Sequence, residues 1–208
     1  MAKLYFKYGA MKSGKTTDII KTYYNYVEKG MEIIIIKPGD DLKAGENIQC
    51  RSGAELKCDY VVSKDVNIYY LIADRLLEHN LDCILVDEAQ FLTVEQVDEL
   101  SDVVDNLGVP VLCYGLRADA FTKAFPGSLR LFEIADVFEE LKAVCKCGSK
   151  ANFNLRLNKI DDEFVPVFSG EQVSIDGIDA EYDSVCRTCY KKLKKKDIKL
   201  SGSEKISV

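Results

Sequence analysis

Short apolar runs alternate with stretches of helical spacing along the first two thirds of this chain. Leu4-Tyr5-Phe6-Lys7-Tyr8 reads as a strand, and Ile19, Ile20, Tyr23 and Val27 recur behind it at helical intervals. Ile33-Ile34-Ile35-Ile36 is an unbroken β-branched run, the mark of a strand covered on both faces. Residues 38 to 59 lose the pattern and turn rich in Gly, Asp and Lys, which predicts a long loop with room for a short hairpin. Ile68, Leu71, Ile72 and Leu76 then mark a helix that ends near His79, and Cys83-Ile84-Leu85-Val86 a further strand. Thr93 and Gln96 form a capping box ahead of Val97, Leu100, Val104 and Leu107, a helix closed by Gly108. A fourth strand is expected over Val109–Tyr114, with Pro110 at its start, where a missing N–H is tolerated. Alternation of this kind calls for a parallel sheet with right-handed crossovers.

The turn between the first strand and its helix reads Gly9-Ala10-Met11-Lys12-Ser13-Gly14-Lys15-Thr16, a full match to the phosphate-cradling pattern G-x-x-x-x-G-K-[ST]. Gly9 and Gly14 are expected to permit a turn that aims backbone N–H groups at phosphate oxygens. Lys15 brings a point charge to the β- and γ-phosphates, and the Thr16 hydroxyl suits Mg²⁺. The helix that follows adds its dipole. A second chemical feature, Asp87-Glu88-Ala89-Gln90, follows the Cys83–Val86 strand at the sheet edge where such folds bind ligands. Asp87 suits Mg²⁺ alongside Thr16. Glu88 is left to act on the nucleophile, taking a proton from a hydroxyl in a kinase or positioning water in an ATPase.

Beyond about residue 141 the alternation gives way to glycines, short polar segments and paired cysteines. Cys145-Lys146-Cys147 and Cys186-Arg187-Thr188-Cys189 stand 38 residues apart, a spacing that fits a closed four-thiolate Zn²⁺ site with a structural role. The chain's other cysteines, Cys50, Cys58, Cys83 and Cys113, are scattered singly, so a disulfide scaffold is not expected and a reducing compartment is. The division predicted is a nucleotide-binding α/β domain over 1–141, a small zinc-binding domain with a substrate-covering loop over 142–192, and a basic tail over 193–208. With 208 residues, 47 % hydrophobic and 30 % charged, the composition is that of a globular protein. A net charge of −6 argues against a general nucleic-acid binder. No run approaches the length of a membrane span, and Met1-Ala2-Lys3 leads straight into a strand, so a cytoplasmic protein without a signal peptide is expected.

With these parts in hand the chain resembles the type II, zinc-containing thymidine kinases up to Tyr190. The resemblance is carried by Gly9–Thr16, by Asp87-Glu88-Ala89-Gln90-Phe91, by Cys113-Tyr114-Gly115-Leu116-Arg117-Ala118-Asp119, and by Tyr182-Asp183-Ser184-Val185-Cys186-Arg187. It implies ATP- and Mg²⁺-dependent phosphorylation of the 5′-hydroxyl of thymidine or deoxyuridine, with Glu88 as general base. Met11, Phe91, Leu116 and Phe125 would border the base. A lid around Ser174 and Ile175 would close over the nucleoside through backbone groups, with Tyr182 beside it. The same resemblance implies a homotetramer with thymidine triphosphate as feedback ligand.

Two segments depart from the family. Asp119-Ala120-Phe121-Thr122 stands where members carry Asp-Phe-Arg-Gly, so either Phe121 takes the aromatic place or the pocket is larger and leans on Arg117 or Lys123. Ile175-Asp176-Gly177 stands for Ile-Gly-Gly, with an extra residue before Tyr182. Competing readings are a single-domain P-loop ATPase or nucleic-acid motor fragment, for which the Asp-Glu-Ala-Gln string speaks, and a diverged nucleotide sensor.

Overall fold

The computed structural model describes residues 1–39, 45, 47–50, 53–161, 163–170, 172 and 180–203, with side chains up to residue 197. The chain divides into two compact units. The first comprises Met1–Gly9, Gly14–Arg117 and Ala124–Leu141; the second comprises Ala10–Ser13, Ala118–Lys123 and Lys142–Val208.

In chain order the first unit contains β1 (Leu4–Gly9), α1 (Lys15–Val27), β2 (Ile33–Pro38), β3 (Asn47–Gln49), β4 (Glu55–Lys57), β5 (Tyr60–Val62), α2 (Ile68–Glu78), β6 (Cys83–Val86), α3 (Val94–Asp102), β7 (Val111–Leu116), α4 (Pro126–Ile134) and β8 (Val137–Leu141). Six of these strands form one sheet in the order β5-β2-β6-β7-β1-β8, with every pairing parallel. The predicted parallel α/β sheet is therefore present.

Successive residues of a strand point to opposite faces, and the core divides on that rule. Ile34, Ile36, Ile84 and Val86 pack with Ile68 and Ile72 of α2, Val97 and Leu100 of α3 and Leu131 of α4. Their neighbours Ile33, Ile35, Cys83 and Leu85 pack on the other side with Ile19 and Ile20 of α1 and with Ile48, Cys50 and Cys58 around the β3–β4 hairpin. Cys83 and Cys113 are fully buried thiols, Cys83 on the α1 side of the sheet and Cys113 on the other. The Thr93–Gln96 capping box forms in both directions, at 3.1 and 3.3 Å. Its helix runs on through a π-helical turn, Val103–Leu107, to Gly108 at φ 72°.

The fourth apolar strand begins two residues later than expected: β7 covers Val111–Leu116, leaving Val109 and Pro110 outside it. Val111 takes its register from β1, opposite Leu4, and that pairing carries the strand on through Gly115 to Leu116. The two outermost strands, β5 and β8, were not expected: β5 is only the three residues Tyr60-Val61-Val62, too short to mark a strand by itself, and Val137–Leu141 of β8 carries two glutamates and no alternation.

The second unit contains β9 (Ala143–Val144), β10 (Lys150–Ala151), β11 (Phe153–Ile160), β12 (Glu163–Val167), β13 (Ala180–Val185) and α5 (Arg187–Ser203). β9 and β10 pair as a hairpin, and β12-β11-β13 form an antiparallel sheet. Its small core gathers Ala143, Cys145, Ala151, Leu155, Val185, Cys186 and Tyr190. The Lys191–Lys196 run lies within α5, with its lysines exposed.

Candidate active site

In the first unit β1, β6 and β7 end at one edge of the sheet, with β7 between the other two, so Gly9 at the end of β1 and Asp87 and Glu88 after β6 stand on that edge. Gly9 closes β1 in extended backbone, paired with Leu116 and Leu141, so the positive φ of the phosphate loop does not fall there. It falls on Lys12, at 62°, and on Gly14, at 84°. A Cβ added at Gly14 would meet nothing within 4 Å, so backbone conformation and not space demands glycine there. α1 then begins at Lys15. Lys7 of β1 anchors the helix, pairing with Asp18 at 2.8 Å and with Glu139 of β8 at 3.1 Å, while the buried Tyr114 donates to Asp18 at 3.0 Å.

Lys15 is buried, and its ammonium is held below the usual lysine range by desolvation, against the opposing pull of Glu88 and Asp87. Asp87 is only 4 % exposed. Burial first, and then the charge of Glu88, push its carboxyl up to about 7, against the pull of the buried Lys15 and Lys37. The Asp87 N–H donates to Ile36 O at 3.0 Å, and the Asp87 Oδ1 accepts from the Glu88 N–H at 3.0 Å. Glu88 adopts a left-handed conformation, φ 49°, at the head of the 3₁₀ turn Ala89–Phe91. This turn swings Phe91 against Phe125, ring centroids 5.6 Å apart and edge to face. Leu116 is nearby through a shared partner: Gln90 accepts from its N–H at 2.9 Å and donates to the Glu88 carboxylate. Gln90 is 1 % exposed, and its side-chain reach to β7 has no local sequence signal.

In the second unit, Met11 is held by its backbone: its N–H donates to Asn154 Oδ1 at 2.7 Å. The amide of Asn154 donates in turn to Ala118 O, also at 2.7 Å. Lys12 pairs with Asp183 at 3.1 Å, next along β13 to Tyr182. The substituted segment is tightly made. Asp119 Oδ1 accepts from the N–H groups of Phe121 and Lys123 at 2.8 and 2.7 Å, and Tyr190 donates to Ala120 O at 2.8 Å. Ala120 is thereby buried, while Phe121 is half-buried, its ring 3.8 Å from where a Cβ of Gly170 would stand. Ser174 and Ile175, expected in the lid, lie outside the described residues.

The sulfurs of Cys145, Cys147, Cys186 and Cys189 all lie within 4.8 Å of one another, and those of Cys147 and Cys186 are 3.6 Å apart. Tetrahedral Zn²⁺ with bonds of about 2.3 Å places sulfurs about 3.8 Å apart, so the cluster fits that ion. Hydrogen bonds from Ser149 bring the Cys147 thiol down to about 6, and the neighbouring sulfurs, Cys186 foremost, push Cys189 up to about 12. Four thiols this close cannot all ionise without a cation among them. The paired spacing of the sequence is thus brought together in space.

A parallel sheet with a glycine–lysine phosphate loop on one strand and an acidic pair on the next strand but one defines a P-loop nucleotide-binding protein. The narrower assignment comes from comparison with known proteins. The chain belongs to the thymidine kinase family, whose model matches residues 2–190. It is 46 % identical over 192 residues to the thymidine kinase of Pasteurella multocida, covering 92 % of this chain and 97 % of that one. It is 44 % identical over 193 residues to that of Coxiella burnetii, covering 92 % and 96 %, and 38 % identical over 194 residues to that of Francisella tularensis, covering 92 % and 98 %. The motor-fragment reading finds no support in a match of this extent. Among the described residues, no helix is long and apolar enough to cross a membrane.

Proposed function

We propose that this protein transfers the γ-phosphoryl group of ATP to the 5′-hydroxyl of thymidine, with deoxyuridine as a second acceptor. The observation that carries the reading is the buried Asp87 and the half-buried Glu88 next to it, whose charges act on the buried Lys15 at the head of α1, in a chain of the thymidine kinase family. The Gly9–Thr16 loop binds the phosphates through its N–H groups, and Lys15 lies against the β- and γ-phosphates. A buried carboxylate raised to about 7 by desolvation suits a divalent cation, and Asp87 with Thr16 would hold Mg²⁺. When bound, that ion neutralises charge on the phosphate oxygens. Glu88 accepts the acceptor's proton as the oxygen attacks in line. Met11, Phe91, Leu116, Phe125 and Tyr182 border the nucleoside, with Ser174 and Ile175 in the covering loop.

Cys145, Cys147, Cys186 and Cys189 would hold Zn²⁺, which closes the ends of that loop as a structural clip. Family resemblance also supports a cytoplasmic homotetramer with thymidine triphosphate as feedback ligand. The test is incubation with Mg-ATP and a panel of deoxynucleosides, scored for which gains a phosphate. Glu88→Gln should lower kcat by about 10²–10⁴-fold while ATP still binds. Near-normal turnover in that variant removes Glu88 from the base role.

A further inference from the structure

A general base is useful only if its carboxylate is held where the proton leaves, and Glu88 has little of its own to hold it. It stands at φ 49° on a sharp turn, a conformation that residues with side chains rarely adopt. Its backbone is tied by its own N–H to Asp87 and by its carbonyl to the Phe91 N–H at 3.0 Å. The side chain is tied by Gln90.

We propose that Gln90 is the positioning residue for Glu88, fixing the base carboxylate to the end of β7 through a single side-chain amide. Its Nε2 donates to Glu88 Oε2 and its Oε1 accepts from the Leu116 N–H at 2.9 Å. Only one orientation of the amide satisfies both partners, because a flipped amide would set oxygen against carboxylate and N–H₂ against N–H. Leu116 is itself fixed from the far side, where the buried Ser128 hydroxyl of α4 donates to its carbonyl. The surrounding backbone leaves room for this arrangement and no more. A Cβ on Gly115 would lie 3.0 Å from Gln90 Oε1 and 3.1 Å from Gln90 N. From the α4 side, a Cβ on Gly127 would lie 2.8 Å from Ala89 O and 3.1 Å from Gln90 O. The turn that carries Glu88 is therefore gripped between two glycines, and Gln90 converts that rigidity into a fixed carboxylate.

The proposal rests on Glu88 acting as the base, and a mutant cycle separates the two ideas. kcat and the KM values for ATP and thymidine are measured on the full chain for Gln90→Met, alone and combined with Glu88→Gln. A carboxylate displaced by an ångström costs up to about 10²-fold, so Gln90→Met should lower kcat about 10- to 100-fold with the KM for ATP unchanged. In the Glu88→Gln background it should lower kcat no further, because residues acting as a unit are not additive. Equal losses in both backgrounds would show a purely structural glutamine and overturn the proposal while leaving the base in place. Normal turnover in Glu88→Gln alone would instead overturn the base. Gly115→Ala, which crowds the amide from β7, gives an independent route should Gln90→Met fail to fold. Its kcat loss should also vanish in the Glu88→Gln background, and an unchanged kcat counts against the proposal.

Discussion

Replacing Asn154 by leucine tests how the second unit holds its piece of the phosphate loop. The side chain is 5 % exposed, bonds Met11 N–H and Ala118 O at 2.7 Å each, and stands opposite Ser184 in the β11–β13 pairing. Leucine has the same branched shape with bulkier ends, so no cavity forms and any crowding only adds to the loss. What remains is two backbone groups without their partner. Orphaning a buried polar group costs about 1–3 kcal/mol. Met11 and Ala118 are only half-buried, so water recovers part of that, and a total near 2 kcal/mol is expected. For a chain of this length each kcal/mol moves the melting temperature by about 2–4 °C, which gives a fall of about 4–8 °C. Scanning calorimetry reads the shift, and the KM for thymidine should rise because Met11 is no longer pinned. Asn154→Asp keeps the acceptor for Met11 but sets a buried carboxylate oxygen against Ala118 O, so it too should lower the melting temperature. An unchanged melting temperature in Asn154→Leu would refute the reasoning.

Gly127→Ala drives a methyl group to 2.7 Å from Leu92 O and 2.8 Å from Ala89 O, so the turn carrying Glu88 must shift. A stability loss of about 1–3 kcal/mol in urea unfolding and a lower kcat are expected, and a native-like variant would show that α4 can back away. Elemental analysis of freshly purified protein should find one zinc per chain. Stripping it with a chelator should lower the melting temperature, and less than half an equivalent of zinc would count against the four-cysteine site.

Much of the first unit was legible because its information is local. Ile33–Ile36 and Cys83–Val86 announce strands covered on both faces, and the structure divides their alternate side chains between two cores. Thr93 and Gln96 lie three residues apart, so their capping box could be read directly. β5, three residues long, and β8, interrupted by two glutamates, are defined by their pairing with β2 and β1 and not by a pattern of their own. The late start of β7 has the same cause, since register is a property of two strands and not of one.

By itself, the sequence determined the kinds of chemistry present: a phosphate loop, an acidic pair after a buried strand, and cysteine pairs with metal-ligand spacing. Those follow from residue type and short spacing, which a linear chain displays openly. Only the tertiary structure decided what holds that chemistry in place. Gln90 meets Leu116 across 26 residues and Asn154 meets Met11 across 143, and no periodicity encodes such partners. A buried amide has a role only when folding brings both of its hydrogen-bonding ends to groups that would otherwise be left unpaired.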